Sequence, residues 1–335
     1  MQNQPAHPQL VPLLRRTALL FVPLCAALVG IVLVLHQQDL AGEFNVVATR
    51  SKDIVALHAK IIDRELSAIS SDVRYFSEQP ELRRFLTNGE GREALEAELV
   101  RLCRERDLYD QARVIDLRGF ERIRVNYREG DPRAVPKELL QDKSSRYYFG
   151  DALGLARGEV FRSPFDLNIE HGVVEEPWRP VIRFATPVFD EADQRAGLLV
   201  LNFRGASLLS ELQETSAHAP GVTLLIDGAG NYLRGMEPER AWGFMFDQHY
   251  TLQSDFPEIG PLLVNPSGQL SLEQGLLSFQ HVRPPDLSSP RGTRAGLTVA
   301  SFVPTAVLRG HSRLQLRRLG GVTLLACLLL LAPVS

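Results

Sequence analysis

An uncharged run, LLFVPLCAALVGIVLVL at 19–35, sits behind Arg15 and Arg16 in a chain of 335 residues. A helix needs about 20 apolar residues to cross a bilayer core, so the run predicts that the chain begins at a membrane. A cleaved signal peptide is the alternative, but its apolar region is only ~7–15 residues long and ends at a small-residue site. Here the run continues to Leu35, and HQQDLAGEF after it has no A-x-A pattern. We therefore read 17–35 as an uncleaved transmembrane helix. A second uncharged run, LGGVTLLACLLLLAPVS at 319–335, has no polar face and reads as another transmembrane helix, truncated at its end.

Two spans put both ends on one side. Arg15 and Arg16 precede the first span, and only Asp39 and Glu43 follow closely, so the positive-inside rule makes 1–16 cytoplasmic. Arg313, Arg317 and Arg318 pull mildly the other way. The bulk of the chain, 36–318, then lies outside the cytoplasm on a two-pass membrane protein. A formal charge of -3 offers no basic face for nucleic acid. Cys25 and Cys327 fall in the spans, which leaves Cys103 alone and rules out an internal disulfide outside the membrane. It reads as a small buried hydrophobe.

Between Asp39 and Phe76 there is no Pro, and Gly42 is the single Gly. Apolar residues at Phe44, Val47, Ile54, Leu57, Ile61, Ile62, Ile69, Val73 and Phe76 follow helical spacing. One long amphipathic helix is predicted, with a stripe suited to pairing with a second copy in a homodimer. A second helix spans Glu90 to Asp107. QARVIDLRGFERIRVNY, 111–127, reads as a hairpin turning at Gly119. A short helix is predicted over Glu138–Leu153, strands at Val160–Arg162, Pro180–Phe189 and Ala196–Arg204, and a helix at Gly205–Thr215. Further strands are predicted at Val222–Asp227, Asn231–Arg234, Gln269–Leu272, Leu276–Val282 and Gly296–Phe302. A last helix runs from Pro304 to Arg318. The fold class is α+β, with two successive, mainly antiparallel sheets on a long helix.

The stretch SPFDLNIEHGVVEEPWRPVIRFATPVFD, 163–190, joins an acidic loop to an apolar strand that contains Arg183. With both strand faces covered, Arg183 needs an anion, because a buried unpaired charge is costly. That anion is either internal, Asp166 or Glu170, or a ligand carboxylate held bidentately. Asp166-x-Asn168-x-Glu170 imitates the start of a calcium loop, but His171 replaces the turn glycine and Pro177 the closing Glu. Capping of the loop's own turns and contact with a ligand remain the other two readings. Glu170 beside His171 could serve acid–base chemistry, but the chain has no G-x-S-x-G, H-E-x-x-H or P-loop motif. Asp227-Gly228-Ala229-Gly230 reads as a hairpin turn, and Trp242 and Phe244 as core.

Several segments carry a family resemblance. ARVIDLRGFERIRVNY resembles a first hairpin of the form R-x-x-D-x-x-G-x-E-x-x-R-V-N, and LQDKSSRYYF the helix after it. SPFDLNIEHG, PWRPVIRFATPVFD, GLLVLNF, LLIDGAGNYL and RAWGFMF resemble later core strands and the start of a second module. Together they resemble the extracytoplasmic double Cache (dCache) sensor domains of bacterial signal transducers, of the sensor histidine kinase and diguanylate cyclase type, over about 40–310. The resemblance implies two tandem PAS-like modules with antiparallel sheets, flanked by two transmembrane helices. The implied division is a stalk helix 36–78, a membrane-distal module 79–216, a membrane-proximal module 217–303 and a connecting helix 304–318.

Many amino-acid-binding members carry Arg-x-Trp-Tyr on the helix after the hairpin. Arg146 matches that signature, whereas Tyr148 and Phe149 stand where Trp and Tyr are found. The expected ligand-binding set is Arg146, Tyr148, Asp166, Asn168 and Arg183, with no catalytic residue, metal or cofactor. The implied function is a sensor that binds a small anionic or zwitterionic molecule and passes a signal across the membrane. Its output would be a cytoplasmic histidine kinase or diguanylate cyclase. A stand-alone tethered binding protein acting through a partner is the alternative, and an exported enzyme a remoter one.

Overall fold

The computed structural model describes residues 10–128, 130–170, 172–260, 264–282, 287–288, 293–308 and 321. The breaker-free stretch forms a single helix, α1 (Leu10–Ser77), followed by α2 (Pro80–Asn88) and α3 (Arg92–Arg106). The helix α2 was not predicted: Pro80 at its first turn and Gly89 as a left-handed C-cap are punctuation that also bounds a short helix. Then come β1 (Tyr109–Asp116), β2 (Glu121–Arg128), β3 (Asp131–Ala134), α4 (Tyr147–Leu153), β4 (Val160–Arg162), β5 (Asp166–Leu167), β6 (Ile169–Glu170), β7 (Val173–Val174), β8 (Pro180–Phe189), β9 (Arg195–Arg204) and α5 (Gly205–Thr215). The remainder is β10 (Val222–Asp227), β11 (Tyr232–Arg234), α6 (Leu252–Asp255), β12 (Ser267–Leu272), β13 (Gly275–Val282), β14 (Leu287–Ser288) and β15 (Leu297–Pro304).

Two main sheets result. The first has the order β14-β4-β8-β9-β1-β2-β3 with β5 also on β8, and the second the order β11-β10-β15-β13-β12. The chain divides into two compact units. One comprises Met1–Arg50, Ser271–Leu276 and Val303–Ser335, and the other Ser51–Leu270 with Leu277–Phe302. In the smaller unit Ala48, Leu276 and Val303 bury one another, with Val47 and Leu308 packed alongside. Residues 305–308 are helical, and the rest of the helix predicted to Arg318 lies outside the described residues, as does the run 319–335 apart from 321. The first predicted span falls partly on 17–22, whose side chains are also outside them. Among the described residues, no helix is long and apolar enough to cross a membrane.

In the larger unit the first sheet has two different faces. Ala112, Val114, Ile123, Val125, Ile182, Phe184, Leu199, Leu201 and Phe203 make one of them, buried against Ile62, Leu66, Ile69 and Val73 of α1 and Leu95, Leu99 and Cys103 of α3. Ile61, Ile62, Ile69 and Val73 of the predicted dimer stripe are thus used in the chain's own core. Leu57 and Tyr75 stay exposed.

The helix predicted over Glu138–Leu153 forms only in its last part, as α4, after a 3-10 turn at Lys137–Leu139. The backbone in between pairs elsewhere. Gln141 N donates to Glu121 Oε2 at 3.0 Å, and Glu121 N donates to Gln141 O at 3.0 Å. Lys143 N donates to Gly119 O at 2.7 Å, and Ser144 N to Asp142 Oδ1 at 2.8 Å. Gly119, at φ 88°, takes the turn conformation and also admits Ser144, whose Cα would lie 2.5 Å from a Cβ added there.

His58 is fully buried on α1, with Nε2 2.8 Å from Thr215 Oγ1 of α5. Burial, with the charge of Arg234 adding to it, lowers its pKa to about 4. Between the unfolded value near 6.5 and about 4, the unfolded chain takes up a proton that the folded chain refuses. Stability therefore falls as pH drops through this window. Urea unfolding at pH 7 and pH 5 is expected to show a lower midpoint at pH 5, and a smaller drop in His58→Asn. An equal drop in both would remove His58 as the cause.

Candidate functional site

The second face of the first sheet is polar where a core would be apolar. Residues directly opposite one another across antiparallel strands share a face, and the register sets out a row. Arg183 of β8 faces Asn202 of β9, Asn202 faces Gln111 of β1, Gln111 faces Asn126 of β2, and Asn126 faces Arg133 of β3. In the next row Arg113 faces Arg124. Arg183, Asn202, Gln111, Arg113 and Arg124 are all buried. Tyr148, Phe149 and Ala152 of α4 cover the apolar part of this face, against Ile115, Phe161, Ala185, Leu198 and Val200.

The acidic loop lies on the Arg183 end of the row. Arg183 Nη1 donates to Asp166 Oδ1 at 2.8 Å and Nη2 to Asn168 Oδ1 at 3.2 Å, while its guanidinium carbon lies 5.9 Å from the Tyr148 ring centre. Arg146, half-buried at the start of α4, donates to Ile169 O at 3.5 Å. Asn168 continues the chain, its Nδ2 donating to Glu175 Oε2 at 2.9 Å. Glu175 in turn pairs with Arg128 at 2.9 Å and Arg179 at 3.1 Å. Burial pushes the Asp166 carboxyl up, against the pull of Arg183, and raises the Tyr147 hydroxyl as well, with Asp166 adding to it.

Beyond Asn202 lies a second charged group that sequence reasoning passed over. Glu121, 1 % exposed, is 3.3 Å from Arg113 Nε, 3.1 Å from Arg124 Nη1 and 3.9 Å from Lys143 Nζ. Arg113 also reaches Asn202 Oδ1 at 3.4 Å and hydrogen-bonds Gln111. Burial, then the charge of Arg113, lowers the Lys143 pKa to about 8. Burial would raise the Glu170 carboxyl, but Arg113, Asn168, Lys143 and Arg124 outweigh it and hold it below its ordinary value. The signal for this group was in the hairpin itself, where Gln111, Arg113, Arg124 and Asn126 alternate with buried apolar residues.

The five expected site residues are brought together around Arg183. Of its two internal partners, Asp166 takes the ion pair and Glu170 does not. The calcium-like spacing is taken apart, since Asp166 turns to Arg183, and among the described residues no cluster of His, Cys, Asp or Glu suits a metal. His171 lies outside the described residues. The turn at Asp227 forms as predicted, with Oδ1 accepting from Ala229 N and Asn231 N at 2.9 Å each. Trp242 is buried in the core, edge-on to Phe165 at 5.2 Å.

Over residues 62–283 the chain matches the bacterial histidine kinase sensor domain, and it belongs to that family. This is a family of sensor domains, not of catalysts. An extracellular domain described as that of a histidine kinase, vpHK1S-Z8, is similar at 20 % identity and a TM-score of 0.69, over 81 % of this chain and 96 % of that one. A domain described as from a sensory box/GGDEF family protein of Vibrio parahaemolyticus is similar at 21 % and 0.69, over 79 % and 99 %. The ligand-binding domain of the Campylobacter jejuni chemoreceptor Tlp3, in complex with L-valine, is similar at 11 % and 0.53, over 81 % and 97 %. At such identities the likeness establishes the fold. A search of curated proteins returned no match.

Proposed function

We propose that the chain is a membrane-anchored periplasmic sensor whose membrane-distal module, 79–216, binds a small anionic or zwitterionic molecule through Arg146, Tyr148, Asp166, Asn168 and Arg183. The observation that carries this is Arg183: a guanidinium buried in the centre of a strand and held by Asp166 of the short strand β5 and by Asn168 just after it. A ligand carboxylate competes with Asp166 for Arg183 and gains Arg146 and the Tyr148 face. A ligand amine, where present, takes Asp166. Binding would rearrange the loop from Asp166 to Glu175 and, through Phe165 on Trp242 and Trp178 stacked on Phe246 at 5.3 Å, the segment that opens the membrane-proximal module. The shift in population then passes along α1 to a cytoplasmic kinase or cyclase. Leu57 and Tyr75 remain as apolar contacts for a second copy of α1 in a homodimer.

The test is a thermal-shift screen of the full chain in detergent micelles against amino acids, organic acids and polyamines. At least one anionic or zwitterionic compound is expected to raise the melting temperature. Arg146→Ala, at a half-exposed position, is expected to keep the fold and weaken that compound at least about tenfold. A hit unaffected by Arg146→Ala would place the site elsewhere.

A further inference from the structure

One buried cation takes no part in the polar face. Arg162 closes β4, is 4 % exposed, and pairs with no carboxylate among the described residues. Side chains alternate along a strand, so Arg162 lies on the face of Val160. That face belongs to the apolar core that also holds Leu225, Leu297 and Val299 of the second sheet. Burial lowers the Arg162 pKa to about 10, which leaves it charged at neutral pH. Its Nη2 donates to Ala295 O at 2.6 Å, and its buried Nε has no hydrogen-bond partner. A buried charge without a counter-ion is costly, and an apolar side chain of similar volume would suit such a core better. Packing alone therefore does not explain an arginine here.

The two ends of Arg162 are tied to different parts of the fold. Along the chain, the next residue, Ser163, is joined to Arg183 twice. Ser163 N donates to Arg183 O at 2.9 Å, and Arg183 N donates to Ser163 Oγ at 2.8 Å. At the guanidinium end, Ala295 closes a 3-10 turn, Thr293–Ala295, just before β15. Its neighbour Arg294 is held by the second sheet, with Nε 3.3 Å from Asp227 Oδ2 and the guanidinium carbon 4.0 Å from the Phe244 ring centre. Asp227 is in turn the register partner of Leu297, where β15 begins. Arg183, Ser163, Arg162 and Ala295 thus form a continuous path from the polar face to the start of β15. That strand lies between β10 and β13 and leads into the helical residues 305–308.

We propose that Arg162 is a positioning residue that passes the state of Arg183 to β15. This rests on the reading of Arg183 as a ligand-binding residue and adds the route by which occupancy leaves the site. An anion that draws the Arg183 guanidinium from Asp166 shifts the β8 backbone at Arg183. Ser163 follows through its two hydrogen bonds, and the Arg162 guanidinium moves with it. A hydrogen bond from a charged donor is strong and directional, whereas the apolar contacts around it are not directional. Ala295 and the start of β15 therefore follow the arginine. The unpartnered Nε gives a second arrangement a hydrogen bond to gain.

The test needs no ligand, because Asp166→Asn by itself disturbs the hold on Arg183. Hydrogen exchange of the full chain in detergent micelles, read by mass spectrometry, follows peptides covering 297–302. Asp166→Asn is expected to speed their exchange at least about threefold. In an Arg162→Met background, Asp166→Asn is expected to change that exchange no further. If Arg162 only supports the core, the two effects add instead. Ser163→Ala removes the oxygen that accepts from Arg183 N, keeps both guanidinium groups, and is expected to shrink the effect of Asp166→Asn. It carries the comparison if Arg162→Met fails to fold by circular dichroism. Unchanged exchange at 297–302 in Asp166→Asn would overturn the relay, as would an effect that survives Arg162→Met or Ser163→Ala undiminished. A compound whose binding is lost in Arg183→Gln, with no coupling at 297–302, leaves the Arg183 site standing and removes the relay. Coupling at 297–302 with no compound that binds keeps Arg162 as the link between Arg183 and β15 and removes the ligand site.

Discussion

Replacing Arg183 by alanine is expected to lower the unfolding free energy by about 3–5 kcal/mol, the cost of leaving the partner of a buried ion pair uncompensated. The pair is deep: Arg183 is 4 % exposed and 2.8 Å from Asp166. Burial already pushes the Asp166 carboxyl up, and Arg183 restrains it. Without the guanidinium the carboxyl rises further and the folded chain holds a proton that the unfolded chain releases. The stability of Arg183→Ala should therefore fall as pH rises through that value, and recover in acid. Adding Asp166→Asn removes the orphaned charge and should restore a substantial part of the loss, without the pH dependence. Denaturant unfolding of the two single variants and the double variant gives the coupling directly. A loss below about 1 kcal/mol in Arg183→Ala would mean the pair is effectively solvated, as surface pairs are.

The second large effect is expected at Glu121. It is the nearest carboxylate to Arg113, Arg124 and Lys143, and Glu121→Gln leaves three buried cations with the more distant Glu170 as their remaining carboxylate. The expected loss is again about 3–5 kcal/mol. Glu121 also accepts from Gln141 N, so the segment that replaces the predicted helix loosens with it. Lys143 gives the diagnostic. Its folded pKa is lowered to about 8, and Glu121 is one of the groups holding it up. In Glu121→Gln it drops further, and as pH rises from there towards the unfolded value near 10.4 the unfolded chain keeps a proton the folded chain has lost. Stability of the variant should thus climb with pH, beginning at a lower pH than in the parent chain. A variant that melts like the parent at pH 7 would show that the three cations are neutralised by something other than Glu121.

Much of the frame was legible because it is written in local periodicity. The absence of Pro between 39 and 76 and the helical spacing of Ile62, Ile69 and Val73 produced α1. Short apolar runs produced Val160–Arg162, Pro180–Phe189 and Val222–Asp227, with the same bounds in the structure. Arg183 was legible for a different reason: a lone charge in an apolar strand requires a partner whatever the fold. Where local signals were ambiguous, the prediction failed. Residues 138–146 have acceptable helix propensity, but their backbone is claimed by Gly119 and Glu121 from the hairpin some 20 residues earlier. The parallel pairing of β14 with β4 had no local signature either.

The sequence by itself determined an α+β chain on a long helix, the turn at Gly119, and the need of Arg183 for an anion, because each follows from neighbours close along the chain. Only the tertiary structure decided that Asp166 rather than Glu170 answers Arg183. It also decided that Gln111, Arg113, Glu121, Arg124, Lys143 and Asn202 form one buried layer. Those residues come from β1, β2, β9 and the segment before α4, and what joins them is strand register. Register is set by the burial of the opposite, apolar face: Ala112, Val114, Ile123, Val125, Leu199 and Leu201 had to face α1 and α3, and the polar residues between them were carried to the other side.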